Sequence, residues 1–245
     1  WTSTDGQNWT VYDFPVQPVG ANYQLQPKCL VYGDGHYMTV GESQYVSSGQ
    51  QRIQTTSNPN SDSWQLRSCP YLDNDQTIKI GGACYSSTLN RWVIICNDMA
   101  DNQPNIVYSD DLVTWNTSMI PNGAWKKSNW RDITWAGNQF VAVASTNTQT
   151  VNGVDINYGL IALSPDGINW ETVTGDFDNY GSNFFNSVTY KANMDRMIAC
   201  QGNSPNNNVS SVWTSTGGQG LWTRDTLTFE DTTGFNELEL GLSLI

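Results

Sequence analysis

An all-β chain of repeated four-stranded units is predicted by three observations. A tryptophan-ended phrase recurs: "WTSTDGQNWT" at 1–10, "YSDDLVTWNT" at 108–117, "LSPDGINWET" at 163–172 and "WTSTGGQGLWT" at 213–223. With one degenerate copy, "TSNPNSDSW", the closing tryptophans are Trp9, Trp64, Trp115, Trp170 and Trp222, spaced 55, 51, 55 and 52 residues apart. No window sustains the period of an amphipathic helix, whereas short alternating or apolar runs bounded by Gly, Asn and Asp recur throughout.

One unit justifies the strand count. "RDITWAG" (131–137) alternates and ends in a turn, and "NQFVAVAS" (138–145) is an apolar β-run. A polar loop follows, then "YGLIALS" (158–164), the turn "PDGIN", and "WETVT" from 170. Asp-Gly between alternating segments is a strong hairpin signal. The stretches 29–42, 80–98 and 186–203 scan like the first two strands of this unit.

Four-stranded units repeated around an axis make a β-propeller, which keeps its sheet edges short and protected. Four complete units run from about 16 to 228. The N-terminal "WTSTDGQNWTVYDF" reads as the end of a unit and "GFNELELGLSLI" (234–245) as the start of one. The expectation is a single domain, 1–245, with five blades and the two termini closing the ring. From Trp222 through the C-terminus and round to Trp9 there are only 32 residues, so the closing blade falls a strand short. A piece of a longer array is the other reading.

Composition narrows the function classes. Lys+Arg is 11 against Asp+Glu 23, a net charge of −12. Such a chain is poorly suited to nucleic acid, which takes a basic surface to displace counterions, or to an anionic membrane. No stretch has the ~20 apolar residues of a membrane-spanning helix. Charged residues are only 14% of the chain, so its polar surface is largely Asn, Gln, Ser and Thr, which suits neutral hydrogen-bonding ligands such as sugars.

Five cysteines (Cys29, Cys69, Cys84, Cys96, Cys200) include no CxxC pair, and the one histidine is His36, in the turn "GDGHY". A histidine-based metal site or triad is thereby excluded; no metal or cofactor is expected. The thiols read as buried small apolar groups, with a Cys84–Cys96 disulfide across a hairpin as the open alternative.

The phrase Ser-Thr-Asp-Gly-Gln-Asn-Trp (3–9), with Ser164 to Trp170 and Ser109 to Trp115, resembles the Asp-box, or BNR, repeat of bacterial sialidases and other propellers. The resemblance covers most of the chain as a repeat. It implies the propeller fold and a structural role for Asp5, Asp111 and Asp166, which fold back onto turn N–H groups. Trp9, Trp64, Trp115, Trp170 and Trp222 are expected to plug against the neighbouring sheet. The wording also resembles virion-associated, phage tail-type propellers. Sialidase activity is rejected: there are six arginines and five glutamates, three of them in the C-terminal tail, and the ring is small. A glycosidase with paired carboxylates stays open on the strength of eighteen Asp.

In a propeller, ligands meet the loops that feed the innermost strands. Aligning those starts gives "ANYQLQ" (21–26), "SNWRDI" (128–133) and "SNFFNS" (182–187). Three blades then carry Asn followed by an aromatic: Asn22-Tyr23, Asn129-Trp130 with Arg131, and Asn183-Phe184. An amide beside an aromatic plate suits a sugar; otherwise the aromatics wedge between blades. Trp125 stands in a polar loop before them, and Lys126, Lys127 and Arg131 make this the one locally basic spot, where a carboxylated or sulfated sugar docks on this reading. The expected function is a non-catalytic, lectin-like glycan-binding module on a virion or cell surface. Its partners are then a glycan or surface polysaccharide, with other virion proteins as further candidates. A structural propeller within a larger complex is the competing reading.

Overall fold

The computed structural model describes residues 2–3, 5–11, 25–43, 51–60, 63–75, 77–97, 104–121, 128–146, 149–151, 154–156, 159–173, 185–201, 211–216 and 222–226. Four antiparallel four-stranded sheets follow one another along the chain. Blade 1 is β1 (Leu25–Gly33), β2 (His36–Ser43), β3 (Ile53–Thr56) and β4 (Gln65–Arg67). A short helix, α1 (Pro70–Asn74), leads to blade 2: β5 (Lys79–Ser86), β6 (Arg91–Asn97), β7 (Ile106–Ser109) and β8 (Asn116–Ser118). Blade 3 is β9 (Ser128–Trp135), β10 (Phe140–Thr146), β13 (Gly159–Ser164) and β14 (Glu171–Val173), with a separate ribbon, β11 (Gln149–Val151) and β12 (Val154–Ile156), inserted. Blade 4 is β15 (Phe185–Lys191), β16 (Arg196–Gln201), β17 (Ser211–Thr216) and β18 (Thr223–Thr226).

The second strand of each blade shows why the sheets stack face to face. In β6, Trp92, Ile94 and Cys96 join a core with Met38, Val40 and Ile53 of blade 1. The alternate residues Val93 and Ile95 join another with Trp130 and Phe140 of blade 3. In β10, Phe140, Ala142 and Ala144 face blade 2, while Val141 and Val143 face Met197 and Trp213 of blade 4. Because side chains alternate across a strand, a sheet buried on both faces needs an unbroken apolar run, as "WVIIC" and "FVAVA" supply. The first strands of successive blades lie against one another, β1 on β5, β5 on β9 and β9 on β15, so they are the inner strands. The chain is an all-β propeller.

The Asp-box turns are one structure built three times. The Asp carboxylate Oδ1 accepts N–H bonds from the second and third residues after it. These are Gln7 and Asn8 on Asp5, Val113 and Thr114 on Asp111, and Ile168 and Asn169 on Asp166, all at 2.7–2.8 Å. The serine two positions earlier accepts from the next backbone N–H, at Gly6, Leu112 and Gly167. That third residue has φ of 71°, 60° and 74° respectively. Gly suits the left-handed region; Leu112 occupies it with a side chain. In the degenerate copy Thr56 and Asn58 stand in, each accepting a turn N–H at 3.0 Å. These bonds hold the Asp111 carboxyl down at about 2, led by those from Thr114 and Val113. They hold Asp5 well below the usual carboxylate range, led by the backbone and side chain of Asn8.

Trp115, Trp170 and Trp222 each pack into the core between their own blade and the preceding one, and Trp64 is buried. Trp9 departs from the expected plug. It is 56% exposed and its indole N–H donates to the Gly6 carbonyl within its own turn. Thr2 and Thr10 pair as an antiparallel bridge around that turn, the outer hairpin expected of a fifth blade. The closing strand expected at 234–245 lies outside the described residues.

The cysteines settle as free thiols. Cys84 pairs with Val93 and Cys96 with Ile80 across β5 and β6, and the two side chains belong to cores on opposite faces of the sheet. A disulfide between them would have to pass through the sheet.

Candidate functional site

Each of the four described inner strands carries a bulge at the same place. The register with the second strand slips once in each blade: between Pro27 and Cys29, Ile80 and Gly82, Trp130 and Asp132, and Phe185 and Ser187. The extra residues are therefore Lys28, Gly81, Arg131 and Asn186. Lys28, Arg131 and Asn186 are exposed. At Gly81 no side chain fits, because a Cβ would sit 2.5 Å from the Trp130 carbonyl oxygen. A bulge leaves one residue out of the ladder and re-aims its side chain. Here the four bulges lie at the same end of neighbouring strands, and three of them carry a side chain.

The bulges correct the sequence alignment of this region. Counting from them, the equivalents of Trp130 are Pro27, Ile80 and Phe185, so Asn22-Tyr23, Asn129-Trp130 and Asn183-Phe184 are not equivalent pairs. Trp130 is 1% exposed, inside the core between blades 2 and 3, and Phe185 is buried between blades 3 and 4. Trp130 is thus a wedge between blades and is withdrawn as a stacking plate. Asn129 is half-buried and Arg131 exposed. Asn22, Tyr23, Trp125, Asn183 and Phe184 lie outside the described residues.

Links between blades fix the backbone on which the bulges sit. The Glu42 Oε1 atom, at the end of β2, accepts the Ile80 N–H at 2.9 Å. Asn97, at the equivalent place in β6, accepts the Trp130 N–H at 2.5 Å and donates to the Trp130 carbonyl at 2.8 Å. In β10 that place is held by Ser145, and the link onward comes from Asp132, whose Oδ2 accepts from the Val188 N–H and the Ser187 hydroxyl. Burial pushes the Asp132 carboxyl up, against the bonds from Val188, Ser187 and Ile133. No local pattern in the sequence marks these contacts, because the partners are 33 to 56 residues apart.

Two lysines flank one carboxylate at this end. The Glu42 Oε2 atom lies 3.6 Å from Lys28 Nζ and 3.7 Å from Lys79 Nζ, one carboxylate between two ammonium groups. Arg131 has no ion pair among the described residues. His36 lies away from this end, at the start of β2 just after the β1–β2 turn, its Nδ1 2.8 Å from the Asp34 carbonyl oxygen. Among the described residues no group of three or more His, Cys, Asp or Glu gathers as a metal site.

No family model matches the sequence, and the curated proteins give no match. Solved structures do. A protein of unknown function from Dyadobacter fermentans is similar at 10% identity over 84% of this chain and 70% of that one, with a TM-score of 0.55. The subtype N11 neuraminidase-like protein of A/flat-faced bat/Peru is similar at 10% identity and a TM-score of 0.49, over 83% of this chain. The present chain spans about half of that protein's length, 54%. A GH43 β-1,3-galactosidase is similar at 10% identity and a TM-score of 0.47, over 80% of this chain and 74% of that one. Identities of this size speak to fold alone, and the Dyadobacter protein carries that likeness.

Proposed function

We propose that the chain is a non-catalytic, glycan-binding propeller whose ligand face is formed by the starts of its inner strands. One observation carries this reading. The same bulge in all four inner strands turns Lys28, Arg131 and Asn186 outward at equivalent positions. Bulges recur next to functional sites because they re-aim a side chain where a regular strand would not. Amide and cationic donors on rigid strands suit the hydroxyl and acidic groups of a sugar.

Six of the described carboxylates support the non-catalytic part. Asp5, Asp111 and Asp166 hold their turns, Asp132 and Glu42 join blades, and Asp73 accepts the Cys69 N–H at 2.8 Å. Each is committed to backbone N–H groups, a poor starting point for the acid–base pair of a glycosidase.

The repeat wording and the Asn- and Thr-rich surface favour a place on a phage virion or cell surface, with a surface polysaccharide as partner. The test is a glycan array with the native chain beside Arg131→Ala. Saturable binding that the variant loses supports the reading. A silent array with a folded β-type circular dichroism spectrum overturns it in favour of a structural propeller. Inhibition of phage adsorption by the purified chain would test the location.

A further inference from the structure

We propose that the face at the starts of the inner strands selects polyanionic glycans, those bearing sulfate or uronate groups. This rests on the glycan-binding reading above and adds the charge of the ligand. The chain has a net charge of −12, with only 11 Lys and Arg in 245 residues. Against that background Lys28 on β1, Lys79 on β5 and Arg131 on β9 place an exposed cation at the same end of three successive inner strands.

The other described arginines of blades 1 and 2 have structural employment. Arg52 is buried and donates to the Gly41 and Ile78 carbonyls at 2.9 Å. Arg67 donates to the Thr55 hydroxyl. Arg91 grips the Asp110 carboxylate with two bonds and donates to the Asp166 carbonyl. In blade 4, Lys191 and Arg196 pair with each other across β15 and β16, at the hairpin end and remote from the bulge.

The Lys28–Glu42–Lys79 group is arranged to take another anion. Glu42 is fixed by its bond to the Ile80 N–H, so it stays between the lysines. At 3.6 and 3.7 Å both ammonium groups sit beyond ordinary hydrogen-bond length from it. One carboxylate against two ammoniums leaves a positive charge, and each ammonium keeps donors for a ligand oxygen. Arg131 adds a planar fork that matches a carboxylate or sulfate with two parallel bonds. A ligand with repeated charges along its length engages cations on several blades, as a single small anion would not.

The experiment measures binding of the native chain to immobilised heparin, polygalacturonate and dextran, each at about 50 and about 300 mM NaCl. A Lys28→Gln/Lys79→Gln/Arg131→Gln triple variant and a Lys191→Gln/Arg196→Gln control are measured alongside, with circular dichroism as the check of folding. The expected result is binding to a charged polymer and not to dextran, weakened about tenfold by the higher salt. The triple variant should lose it and the control keep it. Heparin alone would identify sulfate as the recognised group, and polygalacturonate would identify carboxylate.

Binding to neutral sugars alone, indifferent to salt and to the triple variant, overturns the anionic proposal and leaves the glycan reading standing. Charged-polymer binding that survives in the triple variant overturns the assignment of the site. Silence on all three polymers, together with a silent array, overturns both readings.

Discussion

The Asn97 side chain bonds both backbone groups of Trp130, its Oδ1 accepting the N–H at 2.5 Å and its Nδ2 donating to the carbonyl at 2.8 Å. A side chain from blade 2 thereby does what a neighbouring strand does elsewhere, and all the groups are buried. Asn97→Leu leaves a buried backbone donor and acceptor without partners. The expected loss is about 3 kcal/mol, read as a lower midpoint in urea unfolding at unchanged slope. An unchanged midpoint would show that the clamp contributes little.

Two glycines in equivalent turns separate backbone strain from crowding. Gly6 and Gly167 share a left-handed conformation, but a Cβ at Gly6 meets nothing within 4 Å. At Gly167 it would sit 2.9 Å from Val93 and 3.0 Å from Phe140. Gly6→Ala should cost about 1 kcal/mol from conformation alone. Gly167→Ala should cost about 2–4 kcal/mol, because the core must also move. Equal effects in urea unfolding would contradict this account.

Acid should act through the Asp-box turns. The folded Asp111 carboxyl lies at about 2 against an ordinary value of 3.8. Its folded value is below its unfolded one, so its contribution is whole above pH 3.8 and is lost as pH falls toward about 2. Asp132 has the opposite sign. Its raised value favours the folded state below the ordinary value, and that benefit fades as pH rises through the raised one. Asp111→Asn keeps an acceptor for the turn but removes the titration. The stability difference between native chain and variant should therefore shrink between pH 4 and 2, measured by urea midpoints at each pH.

Adjacent residues at the bulge of blade 3 should behave differently. Trp130→Ala opens a cavity between blades and should cost about 3–5 kcal/mol. Arg131→Ala removes an exposed side chain and should change stability by no more than about 0.5 kcal/mol. Loss of ligand in the first variant would report unfolding, and only the second reports contact. Thermal unfolding of the two variants side by side checks this.

The thiols give a chemical test of the sheet. Cys84 and Cys96 lie on opposite faces, and burial pushes the Cys29 thiol up to about 12. A thiol reagent at neutral pH should label the native chain slowly and all five cysteines once it is unfolded, with or without reductant. A count of three in the unfolded, unreduced chain would reveal a disulfide.

The blades were legible because their signals are local. Strands such as "FVAVA" declare themselves by an apolar run, and the Asp-box turns need particular residues at particular offsets. The proposed ligand face was less legible. A bulge adds one residue without fixing its type, and Lys28, Gly81, Arg131 and Asn186 share no feature that alignment would find. Aligning on Asn–aromatic pairs therefore selected Trp130, a core residue, and passed over Lys28 and Asn186. Arg131 is legible as the neighbour of Trp130 and as a cation close to Lys126 and Lys127.

By itself the sequence determined an all-β chain with a four-stranded repeat, because alternation, turn residues and the Asp-box act over a few residues each. Only the tertiary structure decided which face of each strand meets which neighbour, and which residues the bulges turn outward. Those outcomes depend on bonds such as Asn97 to Trp130 and Glu42 to Ile80, between groups 33 and 38 residues apart. Such partners meet only when whole blades pack, so no short stretch of the chain encodes them.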